Sequence, residues 1–367
     1  MAEGWTYSKA GVDIDKKSSS IESLVGELTY RRSGFGQSVK RPGLFASLID
    51  FGDRYVTLAT DGVGTKILIA DELGIWDTVG IDCVAMNVND TICVNAQPVS
   101  FVDYMAIARP DEDVTREIGK GLNRGAELSD MEIVGGEIAV LPEMVNGMDL
   151  SGTCMGIVEK KKVVDGSACE KGDLIVSLRS SGIHSNGLTL ARRVVEAAGI
   201  KMTDSVPGLP KPIGEELLAP TEIYVREVLS ITERHEVHGL VDITGGGLRN
   251  ILRMRGGLRY TIDDPEEPLP IFRILSELGD IDVREQYQTF NMGMGFIIIA
   301  PEDEAEAIAH ENTDAKVVGR VEEGGGVYLA PENVVYDHYR SNWTCSEPHT
   351  APRAVQVSRE WHPPVTS

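Results

Sequence analysis

Four apolar, β-branched runs in this chain end abruptly in glycine and polar residues, and that rhythm restricts the fold more than any other feature. Tyr55 to Ala59 runs into Thr60-Asp61-Gly62-Val63-Gly64-Thr65-Lys66, and Met131 to Val134 into Gly135-Gly136-Glu137. Asp173 to Leu178 runs into a polar loop over 180–187, and residues 239–243 into Thr244-Gly245-Gly246-Gly247. Such runs read as buried strands, and stretches with apolar residues at helical spacing lie between them. The pattern predicts an α+β protein: two domains of α/β type whose loops face a common cleft, the second a mixed sheet with helices. A chain of 367 residues is long enough for two cores. The boundary is expected at 160–172, near Asp165-Gly166 and Lys171-Gly172-Asp173, which gives domains over 1–165 and 166–340. Residues 341–367 lack periodicity and read as a tail, disordered or locally docked. Helices are expected over 20–30, over 77–90 with Asp77 as cap, over 111–129 and over 215–234.

The stretch from Asp61 to Lys66 crowds an acid, two glycines, a hydroxyl and a lysine into six residues. A polyphosphate held with a divalent cation calls for that mixture: a carboxylate for the metal, Gly62 and Gly64 for close backbone approach, Lys66 for phosphate. A tight turn with a solvated lysine is the other reading; the spacing is not that of a Walker P-loop. Asn87 and Asp90, three apart, share one face of an apolar helix, where they either join Asp61 around a metal or form a buried hydrogen-bond pair. Glu137 is a third acid beside glycines at an expected strand end. His184 stands in a hydroxyl-rich loop at a helix start, either as a structural group or in contact with a ligand. Gly245, Gly246 and Gly247 permit close backbone approach. Arg31-Arg32-Ser33-Gly34-Phe35-Gly36 reads as a flexible loop or an anion-closing lid. His235 and His238 have no cysteine nearby and read as exposed, not as metal ligands.

The formal charge of -22 argues against nucleic acid or an anionic membrane as partner. An anionic ligand would therefore need Mg²⁺ and a few placed cations. Five cysteines without a Cys-x-x-Cys pair indicate neither a disulfide framework nor zinc. No stretch reads as a signal segment or a membrane span, so the expected compartment is the cytoplasm.

Further pieces complete a set. Gly80-Ile81-Asp82 with Asn89-Asp90, Ser181-Gly182-Ile183-His184-Ser185-Asn186-Gly187, Ile243-Thr244-Gly245-Gly246-Gly247 and Phe290-Asn291-Met292-Gly293-Met294-Gly295 follow the first motif in order. Over about residues 7–335 the set resembles the phosphoribosylformylglycinamidine cyclo-ligase (aminoimidazole ribonucleotide synthetase) family of purine biosynthesis. The resemblance implies an ATP-dependent ligase. In it the formyl amide oxygen of formylglycinamidine ribonucleotide takes the γ-phosphoryl group, and a nitrogen closes the ring and expels phosphate. It implies Asp61 and Asp90, with Glu137, as Mg²⁺ ligands. Lys66 would meet the phosphates, with Thr65 and Asn87 in support. His184 and Asn186 would face the reacting group or the nucleotide phosphate, and Gly245 to Gly247 would offer backbone amides. It also implies a homodimer whose N-terminal domains pair into a shared β-barrel.

Two positions depart from the family pattern. Asp242 stands where histidine is common, and Gln37-Ser38-Val39-Lys40-Arg41 replaces a more glycine-rich loop. The alternatives are a thiamine monophosphate kinase-like or selenophosphate synthetase-like relative, a hydrogenase-maturation dehydratase, or a non-catalytic nucleotide-binding scaffold. The absence of cysteine before Cys83, and the Val365-Thr366-Ser367 end, argue against the second and third.

Overall fold

The computed structural model describes residues 4–11, 14–39, 41 and 43–337, without the side chains of 14–18; the expected tail over 341–367 lies outside them. After helix α1 (Ile14–Glu27) the first half forms a six-stranded sheet: β1 (Ser38–Val39), β2 (Ser47–Phe51), β3 (Arg54–Gly62), β4 (Gln97–Ile107), β5 (Glu132–Val140) and β6 (Met148–Glu159). Its order is β1-β2-β3-β6-β4-β5, with only β4–β5 parallel. Helices α2 (Lys66–Leu73), α3 (Val79–Ile92) and α4 (Glu112–Ser129) belong to this half. Helix α3 packs on β3, β6 and β4, over the buried side chains of Ala59, Phe101 and Cys154.

The second half is a seven-stranded sheet in the order β13-β12-β9-β11-β7-β10-β8. Its strands are β7 (Leu174–Arg179), β8 (Gly239–Asp242), β9 (Leu258–Ile262), β10 (Met294–Ala300), β11 (Ala315–Glu323), β12 (Gly326–Leu329) and β13 (Val334–Tyr336). Every residue of β10 is buried between β7 and β8, as its continuous apolar run requires. Helices α5 (Leu188–Ala197), α6 (Ile213–Leu217), α7 (Val225–Arg234), α8 (Pro270–Gly279), α9 (Val283–Thr289) and α10 (Glu302–Glu311) complete it. Helix α7 packs against α3 and α4, joining the halves. Two mixed sheets with helices are the expected α+β architecture.

Four expectations need correction. The strand from Met131 does not stop at Gly135-Gly136-Glu137 but continues through them to Val140. The reason is close packing: a Cβ on Gly136 would lie 2.3 Å from Asp103 Oδ1. The helix expected over 215–234 is two helices, α6 and α7, with residues 219–224 in neither. Pro220 has no N–H and drives Ala219 out of helical geometry. Helix α3 is capped at Thr78, not Asp77, and without a side-chain bond. His238 is buried and the His235 ring nearly so: His235 Nδ1 meets Glu304 at 2.8 Å and His238 Nδ1 meets Asp173 at 2.9 Å.

Candidate functional site

Strand β3 ends beside α3, and Asn87 joins the two. Its Oδ1 accepts from Asp61 N at 2.8 Å, while Nδ2 donates to Cys83 O at 2.8 Å and Asp61 O at 3.3 Å. The buried amide is thus satisfied by backbone, as burial demands, and does not pair with Asp90. Asp90 lies one helical turn further on. Its carboxyl is pushed up to about 7 by burial first, then by Asp61, with Arg253 pulling the other way. Asp242, at the end of β8, is buried; burial, then Asp90 and Asp61, hold it well above the usual carboxylate range. Three carboxylates from three elements therefore share one field, with Arg253 as the local cation. The Arg253 guanidinium lies 4.0 Å from the centre of the Phe45 ring. Carboxylates placed so that Asp61 raises the pKa of Asp90, and both raise that of Asp242, suit a hard divalent ion such as Mg²⁺. Among the described residues no three His, Cys, Asp or Glu side chains already converge as a metal site.

Glu137 is not brought to this cluster. It is exposed on β5, opposite Tyr104, on the sheet face that α3 does not cover. Asp61 follows the parity of buried Thr57 and Ala59 on the other face. Strand alternation alone separates the two acids once β5 runs through its glycines.

Lys66 is wholly buried, not solvated. Its Nζ donates to Asp82 Oδ1 at 2.8 Å and to Ala219 O at 2.6 Å. Burial lowers the ammonium pKa, and the Asp82 charge offsets part of that. The same Asp82 Oδ1 accepts from Thr221 N at 2.7 Å and Thr221 Oγ1 at 2.6 Å, while buried Oδ2 has no protein partner. His184 sits close by at φ +61°, buried, with Nε2 unpartnered. Burial and then the Lys66 charge pull its pKa down to about 3, so the imidazole is neutral. A left-handed backbone at a non-glycine residue costs on the order of 1–3 kcal/mol and persists only where neighbours enforce it. A Cβ on Gly295 would fall 1.8 Å from Tyr224 Oη and 3.1 Å from His184 Cε1, so only glycine fits behind the imidazole.

Thr65 Oγ1 meets Thr189 Oγ1, at the start of α5, at 2.9 Å. Gly64 adopts φ +70° with open space around it, and Gly62 N donates to Asp61 Oδ1 at 2.7 Å. Asn186 lies over α3, with Nδ2 3.9 Å from Met86 Sδ, and a Cβ on Gly245 would lie 2.9 Å from Asn186 Oδ1. The amides of Gly246 and Gly247 both donate to Thr244 O, at 2.7 and 2.9 Å. Gly247 is required by its φ of +53° and by Tyr287 O, 2.0 Å from where a Cβ would stand. Arg32 Nε donates to Phe35 O at 2.7 Å, so the 31–36 loop folds on itself. Two surface hollows lie elsewhere: one is lined by Gln97, Asn123 and Met131, the other by Asn95, Lys161 and His235.

The sequence assigned no role to Asp82, Asn89 or Thr221, although the first two stand within its motifs. The signal for the first two is the one that singled out Asn87 and Asp90: polar groups inside an apolar helix. Thr221 follows the Ala219-Pro220 break and carries no local signal.

A model of the AIR synthase related protein N-terminal domain matches residues 45–158, and one of the C-terminal domain matches 170–330. The phosphoribosylformylglycinamidine cyclo-ligase of Methanococcoides burtonii is 49 % identical over 321 residues, covering 87 % of this chain and 96 % of that one. That of Methanocaldococcus jannaschii is 46 % identical over 324 residues, covering 86 % and 92 %. Among solved structures, AaThiL complexed with AMPPCP and TMP is similar with a TM-score of 0.60 at 20 % identity, covering 88 % of this chain and 94 % of that one. T. maritima PurL complexed with ADP gives 0.54 at 16 %, covering 82 % and 44 %. These two are likenesses of fold. Two matching domains and near-full-length identity agree: the chain belongs to the phosphoribosylformylglycinamidine cyclo-ligase family.

Proposed function

We infer that this chain closes the imidazole ring of aminoimidazole ribonucleotide from formylglycinamidine ribonucleotide, using ATP and releasing ADP and phosphate in the cytoplasm. The observation that carries this reading is that Asp61 and Asp90 from the first half act on the buried carboxyl of Asp242 from the second, while Asn186 of the His184 loop lies over α3 and Thr65 meets Thr189 just past that loop. An amide oxygen is a poor leaving group; once it has taken the γ-phosphoryl group, a nitrogen can attack the carbon and expel phosphate. The protein's task is then positioning and charge neutralisation. ATP is supported by the fold, since AaThiL holds AMPPCP and T. maritima PurL holds ADP.

Asp61 and Asp90 would hold Mg²⁺, with Asp242 at hand and Arg253 as the fixed cation. A bound Mg²⁺ would neutralise phosphate oxygens while the phosphoryl group moves. Glu137 would reach such an ion only across a subunit contact. Gly62, Gly64, Thr65 and the 245–247 turn would shape the backbone around the nucleotide. Asn186 would orient the substrate. Neutral His184 fits a hydrogen-bonding role through Nε2 better than a standing positive charge. Lys66, engaged with Asp82, would support the site from beneath; a phosphate contact would require it to leave that partner.

The homodimer reading is supported by the uncovered face of the first sheet. Leu58, Val102 and Tyr104 stand exposed there, and Val134, Ile138 and Val140 along edge strand β5. The test of function is a discontinuous assay with ATP, Mg²⁺ and formylglycinamidine ribonucleotide, reading imidazole formation and phosphate together. Equal amounts of both are expected. Nucleotide binding without either product would leave only a scaffold, and phosphorylation of thiamine monophosphate instead would make this a kinase.

A further inference from the structure

The loop over 180–187 is held in place from outside itself. Ser180 Oγ donates to Asn291 Oδ1 at 3.0 Å, and Asn291 Nδ2 to Gly182 O at 2.9 Å. Ser181 Oγ donates to Pro220 O at 2.6 Å, and Ser185 Oγ lies 3.1 Å from Thr221 Oγ1. The last two ties end on the non-helical segment, 219–224, that separates α6 from α7. That segment is gripped by the first half: Lys66 binds Ala219 O, Asp82 binds Thr221 twice, and Asn89 takes Tyr224 N at 3.2 Å and gives Nδ2 to Glu222 O at 2.8 Å.

The directions of these bonds follow from the donors. An ionised carboxylate only accepts, so Thr221 commits its hydroxyl proton to Asp82. Ser185 must then donate to Thr221. A one-way relay results, Ser185 to Thr221 to Asp82, closed by the Lys66 ammonium. It starts one residue from His184, whose left-handed backbone and unpartnered buried Nε2 require outside support.

We propose that Asp82, acting through Thr221 and Ser185, is a positioning residue for His184, holding the backbone that aims Nε2 at the reacting substrate. This rests on the reading of His184 as facing the substrate, and the experiment separates the two. Steady-state kinetics are measured for Thr221→Val, Thr221→Ser, Ser185→Ala, His184→Gln and the double variant His184→Gln/Ser185→Ala, with melting temperatures alongside. Ser185 is only partly buried, so its variant folds even if Thr221→Val does not. Ser185→Ala and Thr221→Val are expected to lower kcat by about tenfold or more, because small misplacements of a reacting group are felt at that scale. KM for ATP and for the ribonucleotide stays within about twofold, and Thr221→Ser recovers most of the rate. In the His184→Gln background, Ser185→Ala adds no further loss, because its effect passes through the missing imidazole. Unchanged kcat in Ser185→Ala, or a loss that multiplies in full on top of His184→Gln, would overturn the relay while leaving His184 in the site. Full activity of His184→Gln would remove His184 itself, and the relay's purpose with it.

Discussion

Asp90 carries a carboxyl that its surroundings keep near neutrality, because burial and the Asp61 charge both act against ionisation. Nothing in an ordinary core requires such an arrangement, and a divalent cation would relieve it. Asp90→Asn should therefore lower turnover by about 100-fold or more in a steady-state assay, while circular dichroism reports an intact fold; near-normal turnover would take Asp90 out of the site. His238 shows the opposite kind of charged group, one built for stability. Burial pulls its pKa down, but the hydrogen bonds and charges of Asp173 and Glu236 outweigh this, and the net shift is upward. A histidine whose folded pKa is raised stabilises the fold fully below its unfolded value of about 6.5, and that contribution fades as pH rises through the folded value. The melting temperature of the native chain should exceed that of His238→Gln most at pH 5.5, by the equivalent of about 1 kcal/mol, and the gap should narrow by pH 8.5. A gap that widened with pH would contradict the pairing with Asp173.

Helix α3 does two jobs at once because its polar residues fall on different faces. Asp82 and Asn89, seven apart, point the same way and reach the 219–224 segment, while Asn87 and Asp90 attend the end of β3. Its placement depends on a backbone contact with α4. A Cβ on Gly80 would stand 2.4 Å from Ile118 O, and one on Gly121 would stand 2.3 Å from Asp77 O. Main chain cannot yield as a flexible side chain does, so Gly80→Ala must push the helices apart. A loss of about 1–3 kcal/mol is expected from the urea midpoint, with turnover falling beyond what the unfolded fraction explains. Unaltered stability would mean the helices separate freely there, and α3 could not then be the rigid carrier of both polar faces.

At the scale of the molecule, the apolar outer face of the first sheet stands against a chain of formal charge -22. A dimer formed on that face would cover Tyr104 and the β5 edge and bring Glu137 of each copy toward its neighbour. Tyr104→Arg should then shift sedimentation at micromolar concentration from dimer mass to monomer mass; an unshifted mass would place any contact elsewhere.

The strand-loop rhythm, the order of the motifs and the mixed α+β architecture were legible in the residues themselves. Periodicity, glycine and the chemistry of neighbouring side chains act over a few positions, and a linear reading sees them. Beyond that reading were the passage of β5 through its glycines, the separation of Glu137 from Asp61, and the burial of Lys66, His235 and His238. Lys66 meets a carbonyl 153 positions away, and the glycine at 136 makes room for Asp103 on a neighbouring strand. Whether a charged side chain faces ligand, solvent or a buried partner is set by what packs over it, and only the folded chain decides that.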